Sequence, residues 1–209
     1  MKIAIWFIAA ICSYLIAGFN LAILLSKAIY HQDIREVGSK NPGFTNFKRV
    51  YGNKYAWFIF AFDMLKAALP ALIFGLAFNA IFGWWQLGAA YAGVFAMLGH
   101  AYPVFYKFKG GKGFLVCLAT LFFIDWRAGL IAFAVMCILL LTVKYMSVST
   151  MTALVVGAAL LPVFRADVIA CMLYACCVLF MIYRHRENIV RLIQHKESKF
   201  SLSGKKKAE

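Results

Sequence analysis

The sequence predicts an all-α integral membrane protein of about seven transmembrane helices, with its amino terminus outside and its carboxyl terminus in the cytoplasm. Composition is the first reason, because 64% of the residues are hydrophobic and only 14% are charged, unlike a soluble domain. The second is a series of apolar runs separated by short polar gaps. The third is the uneven distribution of lysine and arginine among those gaps, which sets orientation in a membrane.

Seven apolar runs follow one another along the chain. They are roughly Ile3–Ser26, Tyr55–Asn79, Gln86–Leu98, Gly113–Ile124, Ala128–Val143, Met151–Phe164 and Val168–Tyr183. Several are shorter than the ~20 residues that a perpendicular helix needs to cross ~30 Å of hydrocarbon. We therefore expect flanking residues to continue these helices, or the bilayer to thin around them.

Lysine and arginine lie mostly in the gaps on one side of the runs. That side, including the tail from Arg184, carries 18 of the 22 lysine and arginine residues. The other side holds only Lys2, Arg127 and Arg165, and the remaining residue, Lys66, lies within an apolar run. Because cytoplasmic gaps carry the excess of positive charge, the richer side is expected to face the cytoplasm. We attribute the net charge of +14 to cytoplasmic loops that lie beside the anionic inner leaflet. Nucleic-acid binding is disfavoured, since these residues do not form a soluble basic face.

One membrane-embedded domain is expected over residues 1–209, because the composition does not shift along the chain. The basic tail from about residue 200 is expected to be disordered near anionic lipid. All six cysteines fall inside apolar runs without a Cys-x-x-Cys or Cys/His spacing. They therefore predict neither a disulfide framework nor a metal site.

The gap after the first run combines turn-forming and anion-binding residues. It reads Gly-Ser-Lys-Asn-Pro-Gly-Phe-Thr-Asn over Gly38–Asn46 and is followed by Arg49. Glycine and proline favour an irregular backbone whose N–H groups can converge on an anion. Ser39, Asn41 and Asn46 add neutral hydrogen bonds, and an arginine offers a planar fork to phosphate. An ordinary turn has the same composition, so both interpretations remain open for this segment alone.

A second polar segment, Gly99–Gly113, reads Gly-His-Ala-Tyr-Pro-Val-Phe-Tyr-Lys-Phe-Lys-Gly-Gly-Lys-Gly. Glycines at the start of a helix expose N–H groups at the positive end of its dipole, which favours phosphate. Lys109 and Lys112 could hold the same charge. The positive-inside rule explains the lysines but requires neither the three glycines at 110, 111 and 113 nor His100. We therefore interpret the segment as an anion site at the membrane surface.

The third polar segment begins at Arg184 and runs to Leu192. Arg184, Asn188 and Arg191 share one face at helical spacing, with His185 beside it. An interfacial amphipathic helix with snorkelling arginines would look the same. A titratable ring beside an amide is nevertheless useful next to a phosphate.

Two smaller features complete the candidate site. Asp63 and Lys66 lie three residues apart inside the second run, where they can pair and offset each other's burial. We expect them to support the structure or the site rather than to perform chemistry. The turn Tyr145–Thr150 carries three hydroxyls, including Ser147, and indicates little by itself.

Together and in this order, these segments resemble the motifs of the bacterial acyl-phosphate:glycerol-3-phosphate acyltransferases, the PlsY family. The family's first motif, Gly-Ser-Gly-Asn-x-Gly-Ala-Thr-Asn with a following Arg, is similar to Gly38–Asn46 with Arg49. Its second, Gly-His-x-x-Pro-x-Phe-x-x-Phe-Lys-Gly-Gly-Lys-Gly, is matched at every fixed position by Gly99–Gly113. Its third, His-x-Glu-Asn-Ile-x-Arg-Leu, is matched by His185–Leu192. An intramembrane Asp-x-x-Lys and a Tyr-x-Ser turn are also present.

Three residues depart from the family pattern. Lys40 stands for a glycine of the first motif, Phe44 for its alanine, and His195 for a glycine near the end of the third. The first two put the shape of the loop and the fit of the substrate in question. None of the three removes a polar group that the resemblance assigns to chemistry.

The resemblance implies transfer of a fatty acyl group from acyl phosphate to the 1-hydroxyl of sn-glycerol 3-phosphate, the first step of phospholipid synthesis. The products would be lysophosphatidic acid and phosphate. It further implies a multi-pass protein of the bacterial inner membrane, a site facing the cytoplasm, contact with membrane lipid, and no cofactor or metal. An enzyme that supplies acyl phosphate is a candidate partner, whereas the oligomeric state is not indicated.

The resemblance also assigns roles to residues. The catalytic pair would be His185 and Asn188, which orient the hydroxyl or stabilise the oxyanion, and the proton would pass to His185 or to a substrate phosphate oxygen. The substrate-binding residues would be Ser39, Asn41, Asn46, Arg49, His100, Lys109, Gly110, Gly111, Lys112 and Ser147. The site-supporting residues would be Asp63, Lys66 and Glu187.

Two rival functions use the same loops. A small anion or phosphate-ester transporter is the main alternative, but the sequence shows no internal repeat of the kind found in many transporters. A lipid phosphatase is disfavoured because its Lys/Arg-Pro, Ser-Gly-His and Arg/His-Asp motifs are missing from the sequence. The His-x-x-x-x-Asp pair and the Gly-x-Ser-x-Gly elbow of other acyl-transfer enzymes are missing too, which favours a site built on positioning and charge stabilisation.

Overall fold

The structure, a computed structural model, describes residues 2–201. These residues form α-helices and connecting segments without any β-strand, as the sequence predicted. In chain order the helices are α1 (Ala4–Gly18), α2 (Leu21–Tyr30), α3 (Phe44–Tyr51), α4 (Ala56–Phe82), α5 (Trp85–Ala101), α6 (Phe114–Ile124), α7 (Trp126–Thr142), α8 (Met146–Val163), α9 (Val168–Arg184) and α10 (Arg186–Ile193). The tail expected from about residue 200 lies outside the described residues, apart from its first two.

Three helical segments are long and apolar enough to cross a membrane, namely Ala4–Tyr30, Ala56–Phe82 and Met146–Val163. A fourth is added if α9 and α10, which are bent by 53°, count as one span. The apolar helices α6 and α7 have 11 and 17 residues, and the shorter one extends only ~16 Å. Helix length alone therefore supports three or four spans within residues 2–201, fewer than the seven expected.

The first apolar run is broken between α1 and α2. Asn20 caps α2 by accepting from the Ile23 amide at 3.0 Å and donates to the Pro42 carbonyl at 2.9 Å. The carbonyl of Phe19 accepts from Lys66 Nζ at 2.8 Å, and the same ammonium lies 2.7 Å from an Asp63 carboxylate oxygen. Irregular backbone at membrane depth requires such partners, so this buried pair stabilises the break.

Helix α5 is the central element and packs against α1, α4, α6 and α9. Small residues allow these close approaches. A Cβ on Gly99 would lie 2.1 Å from the Tyr14 carbonyl oxygen, and one on Gly93 would lie 2.2 Å from the Thr120 side chain. This tight packing fixes the carboxyl end of α5, and His100 with it, beneath the glycine-rich loop, residues 107–113.

After α10 the chain turns back across the same end of the bundle. His195 is left-handed at φ 56°, and the Lys196 amide donates to the Arg191 carbonyl at 2.8 Å, a helix-terminating turn that usually takes glycine. The Phe200 amide then donates to the Lys144 carbonyl at 2.7 Å. This C-terminal segment, residues 194–200, carries Glu197 into the site described next.

Candidate functional site

A cavity of about 250 Å³ lies where the three polar segments meet. Its wall includes ten of the residues expected from the sequence: Ser39, Asn41, Asn46, Arg49, Asp63, His100, Lys112, Ser147, His185 and Asn188. The other five expected residues, Lys66, Lys109, Gly110, Gly111 and Glu187, lie off the wall. Segments more than 140 residues apart in the chain, such as those of Ser39 and Asn188, thus share one site.

A hydrogen-bonded network forms the polar end of this cavity. Lys112 Nζ donates to the side-chain oxygen of Asn188, and the Asn188 amide nitrogen donates to Glu197 Oε1 at 2.7 Å. Ser147 Oγ donates to the same carboxylate oxygen at 3.1 Å, while Arg191 Nε donates to Oε2 at 2.7 Å. Since an ammonium can only donate and a carboxylate can only accept, the orientation of the Asn188 amide is fixed.

Charge is nearly balanced around Lys112. Burial is the main cause that lowers the pKa of the Lys112 ammonium, which is about 8; Arg191 and Arg184 act in the same direction, whereas Glu187 and Glu197 oppose them. Burial also opposes ionisation of Glu197, but hydrogen bonds from Arg191, Asn188 and Ser147 outweigh it and hold the pKa of that carboxyl below its usual value. The site therefore presents a charged lysine and an ionised glutamate near neutral pH.

His185 lies at the junction of α9 and α10, beyond the last residue of the apolar helix, and is buried. Its Nδ1 is 2.9 Å from the Met181 carbonyl, which requires the proton on that nitrogen and leaves Nε2 as an acceptor. Burial lowers the pKa of the His185 imidazole to about 4, against the raising effect of the Met181 bond. A neutral imidazole that can accept a proton thus lines the cavity at pH 7.

The backbone amides of the glycine-rich loop bind carbonyls of the protein itself, which the sequence did not predict. The Gly110 amide donates to the Ala101 carbonyl and the Gly111 amide to the His100 carbonyl, both at 3.1 Å. These N–H groups are already engaged, so the structure lends no support to the prediction that they hold a phosphate. A Cβ on Gly111 would lie 2.2 Å from His100 Nε2, which shows that the glycine is needed for close packing. Gly113, at the amino end of α6, is the loop glycine on the wall.

The side chain of Lys109 does not line the cavity, although the sequence predicted that it would bind substrate. Its side chain is exposed and lies off the cavity wall, so it is not placed to hold an anion there. Its carbonyl accepts from Arg35 Nη1 at 3.4 Å, and the same nitrogen donates to the Tyr106 carbonyl at 2.8 Å. Arg35 in turn pairs with Asp33 at 2.7 Å. The backbone of Lys109 therefore joins the two loops, and its charge faces solvent.

Asn46 shapes the first loop. Its side-chain oxygen accepts from the Ser39 amide at 2.8 Å, and its nitrogen donates to the carbonyls of Val37 at 3.0 Å and Ile34 at 3.3 Å. Because both polar groups of Asn46 bind the loop backbone, its expected contact with substrate gains no support. What it does is hold Ser39 at the cavity wall.

Two family departures become intelligible in this loop. Lys40 is left-handed at φ 58°, a conformation that glycine adopts without strain, and glycine is the residue of the family motif at this position. Phe44, in place of alanine, lies on the cavity wall against Trp57 and Phe60, with ring centroids 5.1 and 5.5 Å away. The first departure puts a residue with a Cβ on a left-handed backbone at the cost of strain, and the second places an aromatic ring on the cavity wall.

The deep wall of the cavity carries buried polar atoms. His100 Nδ1 lies 4.0 Å from the Asp63 carboxylate oxygen that pairs with Lys66, and within the described residues 2–201 this ring nitrogen has no hydrogen-bond partner. Both side chains line the cavity. Asp63 thus connects the stabilising pair with Lys66 to the wall, which fits the supporting role predicted for it.

The opposite end of the cavity is apolar. It is lined by Trp57 and Phe60 of α4 and by Phe133, Met136, Cys137 and Leu140 of α7. Helix α6 packs against both α4 and α7 and lies between them. Trp57 and Phe133 are also exposed at the outer surface, with exposed fractions of 48% and 38%. This end of the cavity therefore opens towards the apolar outer surface of the helices.

Sequence reasoning missed Glu197 and Phe200, both of which line the cavity. The ring centroid of Phe200 lies 4.7 Å from Lys48 Nζ and 6.4 Å from the ring centroid of Phe44. Phe200 thus covers one edge of the site. A carboxylate within an otherwise basic segment was the signal available for Glu197. It could not be interpreted, because the turn that returns it to the site runs through His195, where no glycine marks a bend. Within residues 2–201, no group of three or more His, Cys, Asp and Glu side chains could hold a metal ion.

Comparison with known proteins agrees with this geometry. Residues 7–195 match the family model described as Glycerol-3-phosphate acyltransferase. Proteins of that name from Aquifex aeolicus and Finegoldia magna are each 36% identical to the chain, over 91% and 92% of its length and 96% and 94% of theirs.

Two crystal structures of PlsY, an integral membrane glycerol 3-phosphate acyltransferase, are similar in fold. The glycerol 3-phosphate form has a TM-score of 0.86 at 34% identity, covering 94% of this chain and 96% of that one. The lysophosphatidic acid form has a TM-score of 0.82 at 32% identity, covering 95% and 97%. On the family match, the identities and the shared fold, the chain belongs to the glycerol-3-phosphate acyltransferase family.

Proposed function

We propose that this protein transfers a fatty acyl group from acyl phosphate to the 1-hydroxyl of glycerol 3-phosphate, forming lysophosphatidic acid and releasing phosphate. The observation that carries the proposal is a single cavity with a cationic, hydrogen-bonding end and an apolar end open to the outer surface. Both substrates carry phosphate, and one carries a long alkyl chain. The family membership and the bound forms of the solved relatives support this reaction over a transporter.

The polar end suits two phosphate groups. Ser39, Arg49 and Lys112 line it together with Ser147, and Lys112 keeps two N–H donors after its bond to Asn188. Arg49 can offer two parallel donors to one phosphate. In this partly buried setting such donors act more strongly than in water.

The reaction itself needs little from the protein beyond positioning. The glycerol hydroxyl oxygen attacks the acyl carbonyl carbon, the bond from that carbon to the phosphate oxygen breaks, and phosphate leaves with the electron pair. The hydroxyl proton passes to His185 Nε2 or to a substrate phosphate oxygen. Asn188 orients the hydroxyl or stabilises the oxyanion through its second amide N–H, since the first is bound to Glu197.

The apolar end suits the acyl chain. A cavity of about 250 Å³ is smaller than a long fatty acyl chain together with two phosphates, so we expect the tail to extend between α4 and α7 into lipid. The donor, acyl phosphate, provides a good leaving group, which explains why a site without a serine or cysteine nucleophile suffices.

The membrane placement proposed here has seven spans, the amino terminus outside and the site at the cytoplasmic face of a bacterial inner membrane, all within one domain. The distribution of lysine and arginine supports it, as does the meeting of the three polar segments at one cavity. Short α6 and α7, joined at Asp125, would span only where the bilayer is thinned. A cytoplasmic site would receive acyl phosphate from an enzyme that makes it.

The test uses the purified full-length protein in lipid vesicles with acyl phosphate and labelled glycerol 3-phosphate. We expect lysophosphatidic acid and phosphate in equal amounts, and much less of both from the Lys112→Gln variant. Parallel reactions with acyl-coenzyme A and acyl-carrier protein identify the donor. Folded protein that makes no lysophosphatidic acid from any of the three donors would refute the proposed function.

A further inference from the structure

Arg184, the last residue of α9, lies behind the glycine-rich loop and off the cavity wall. Its Nη2 donates to the carbonyl oxygens of both Gly110 and Gly111 at 3.1 Å. The guanidinium also lies over the ring of Tyr102, 5.0 Å from its centroid. One side chain thus joins the end of α9 to two successive peptides of the loop.

These bonds complete the hydrogen bonding of the two glycines. Their N–H groups donate to carbonyls at the end of α5, and their carbonyls accept from Arg184. The next residue is Lys112, whose Nζ bonds to Asn188, four positions beyond Arg184. The segment from α9 to α10 therefore holds Lys112 at two points, through the backbone before it and at the tip of its side chain.

We propose that Arg184 is a positioning residue, which acts through the Gly110 and Gly111 carbonyls to place Lys112 at the polar end of the cavity. This inference rests on the proposed function, in which Lys112 binds substrate phosphate. Lysine at position 184 would keep the charge but is shorter and lacks the flat guanidinium that stacks on Tyr102.

The charges around Lys112 come from three elements. They are Arg184 of α9, Glu187 and Arg191 of α10, and Glu197 of the C-terminal segment. The positive charge of Arg184 lowers the pKa of Lys112. Neutralising Arg184 should therefore raise that pKa, in addition to loosening the loop.

The experiment compares Arg184→Gln with Arg186→Gln in the vesicle assay. Arg186 is exposed and bonds only locally, to the Tyr183 carbonyl at 3.5 Å, so its variant removes the same charge two residues away. For Arg184→Gln we expect the KM for glycerol 3-phosphate to rise about 10- to 100-fold, with kcat changed much less. For Arg186→Gln we expect both constants to stay within about twofold of the wild type.

Two further measurements separate positioning from a merely structural role. The alkaline limb of the kcat/KM profile should move to higher pH in Arg184→Gln, and the effect of this substitution should largely vanish in a Lys112→Gln background. Equal behaviour of the Arg184 and Arg186 variants would overturn the proposal, as would full additivity with Lys112→Gln.

Folding and function can be separated in the same series. If Arg184→Gln does not fold, Arg184→Lys gives the comparison, and failure of both to fold would refute positioning in favour of a structural role. The affinity of each variant for inorganic phosphate, measured by titration calorimetry, tests the role of Arg184 without requiring turnover. If the wild type makes no lysophosphatidic acid, the proposed function fails, whereas weaker phosphate binding by Arg184→Gln than by Arg186→Gln still supports the inference.

Discussion

Lys112 and Asn188, 76 residues apart in the chain, are joined by a hydrogen bond from the ammonium to the amide oxygen. The bond links the glycine-rich loop to α10, two segments that the sequence could place on one face but not in contact. Because Asn188 also donates to Glu197, the lysine is held within a network rather than left to move in solvent. The expected behaviour of Lys112 follows from this arrangement.

Replacing Lys112 by glutamine should lower kcat/KM for glycerol 3-phosphate by about 100-fold or more. The substitution removes the charge and the donors of a phosphate ligand, a loss of about 3 kcal/mol. Lys109→Gln is the matched control, because it removes the same charge three residues away from an exposed side chain. It should change kcat/KM less than twofold. A large loss of kcat/KM in Lys109→Gln with none in Lys112→Gln would identify Lys109, and not Lys112, as the phosphate ligand.

Activity should fall as pH rises through about 8. Burial lowers the pKa of Lys112 to about 8 from its ordinary value near 10.4, so the ammonium needed for phosphate binding is complete below this pH and lost above it. The check is kcat/KM between pH 6 and 10, corrected for spontaneous hydrolysis of the donor. Lys112→Arg, which stays charged throughout, should lack this limb at any residual rate. A wild-type limb that persists in Lys112→Arg would assign it to another group.

Replacing Glu197 by glutamine should reduce kcat about tenfold and move the alkaline limb to lower pH. The oxygen that the amide retains can still accept from Ser147 and Asn188, but its NH₂ group cannot accept from Arg191 Nε. The loss of this one charged bond costs about 1.5 kcal/mol, which corresponds to about tenfold. The limb moves because the charge of Glu197 raises the pKa of Lys112.

Glu187→Gln provides the control for this substitution. Glu187 also raises the pKa of Lys112, but its side chain is exposed and lies off the cavity wall. Its variant should therefore move the limb to lower pH as Glu197→Gln does, but with nearly normal kcat. Equal loss of kcat in both variants would mean that charge alone, and not the hydrogen bonds of Glu197, matters.

Lys40→Gly should stabilise the protein by about 0.5–1 kcal/mol. The left-handed backbone at φ 58° strains a residue with a Cβ by about 1–2 kcal/mol, and greater freedom of glycine in the unfolded chain offsets part of the gain. Thermal unfolding in detergent measures the effect. Lys40→Ala removes the side chain but retains the strain, so a gain equal to that of the glycine variant would contradict this explanation.

The sequence predicted the helical class and the three segments that meet, because apolar periodicity and motif spacing are local properties. It did not predict which groups of those segments face the cavity. The Gly110 and Gly111 amides point to carbonyls of α5, a consequence of how closely the loop packs on His100. Glu197 reaches the site through a left-handed turn at His195, a position where composition gives no signal. Such features depend on tertiary packing, which a single sequence does not display.

Cys137→Trp should shorten the acyl chain that the protein prefers. Cys137 lies on the apolar part of the cavity wall, between Met136 and Leu140 on α7, so an indole there would occupy space expected for the tail. We expect kcat/KM for a 16-carbon donor to fall at least about tenfold relative to an 8-carbon donor, since overpacking costs about 1–3 kcal/mol. The measurement is the ratio of the two rates in one vesicle preparation.

Cys176→Trp makes the same substitution away from the cavity. Cys176 is exposed on α9, where a bulky apolar side chain meets lipid, so the ratio of long-chain to short-chain rates should match the wild type. Thermal unfolding of both variants shows whether the indole is tolerated. An unchanged ratio in folded Cys137→Trp would place the acyl tail elsewhere. An equal change in both variants would trace the effect to the membrane rather than to the wall between α4 and α7.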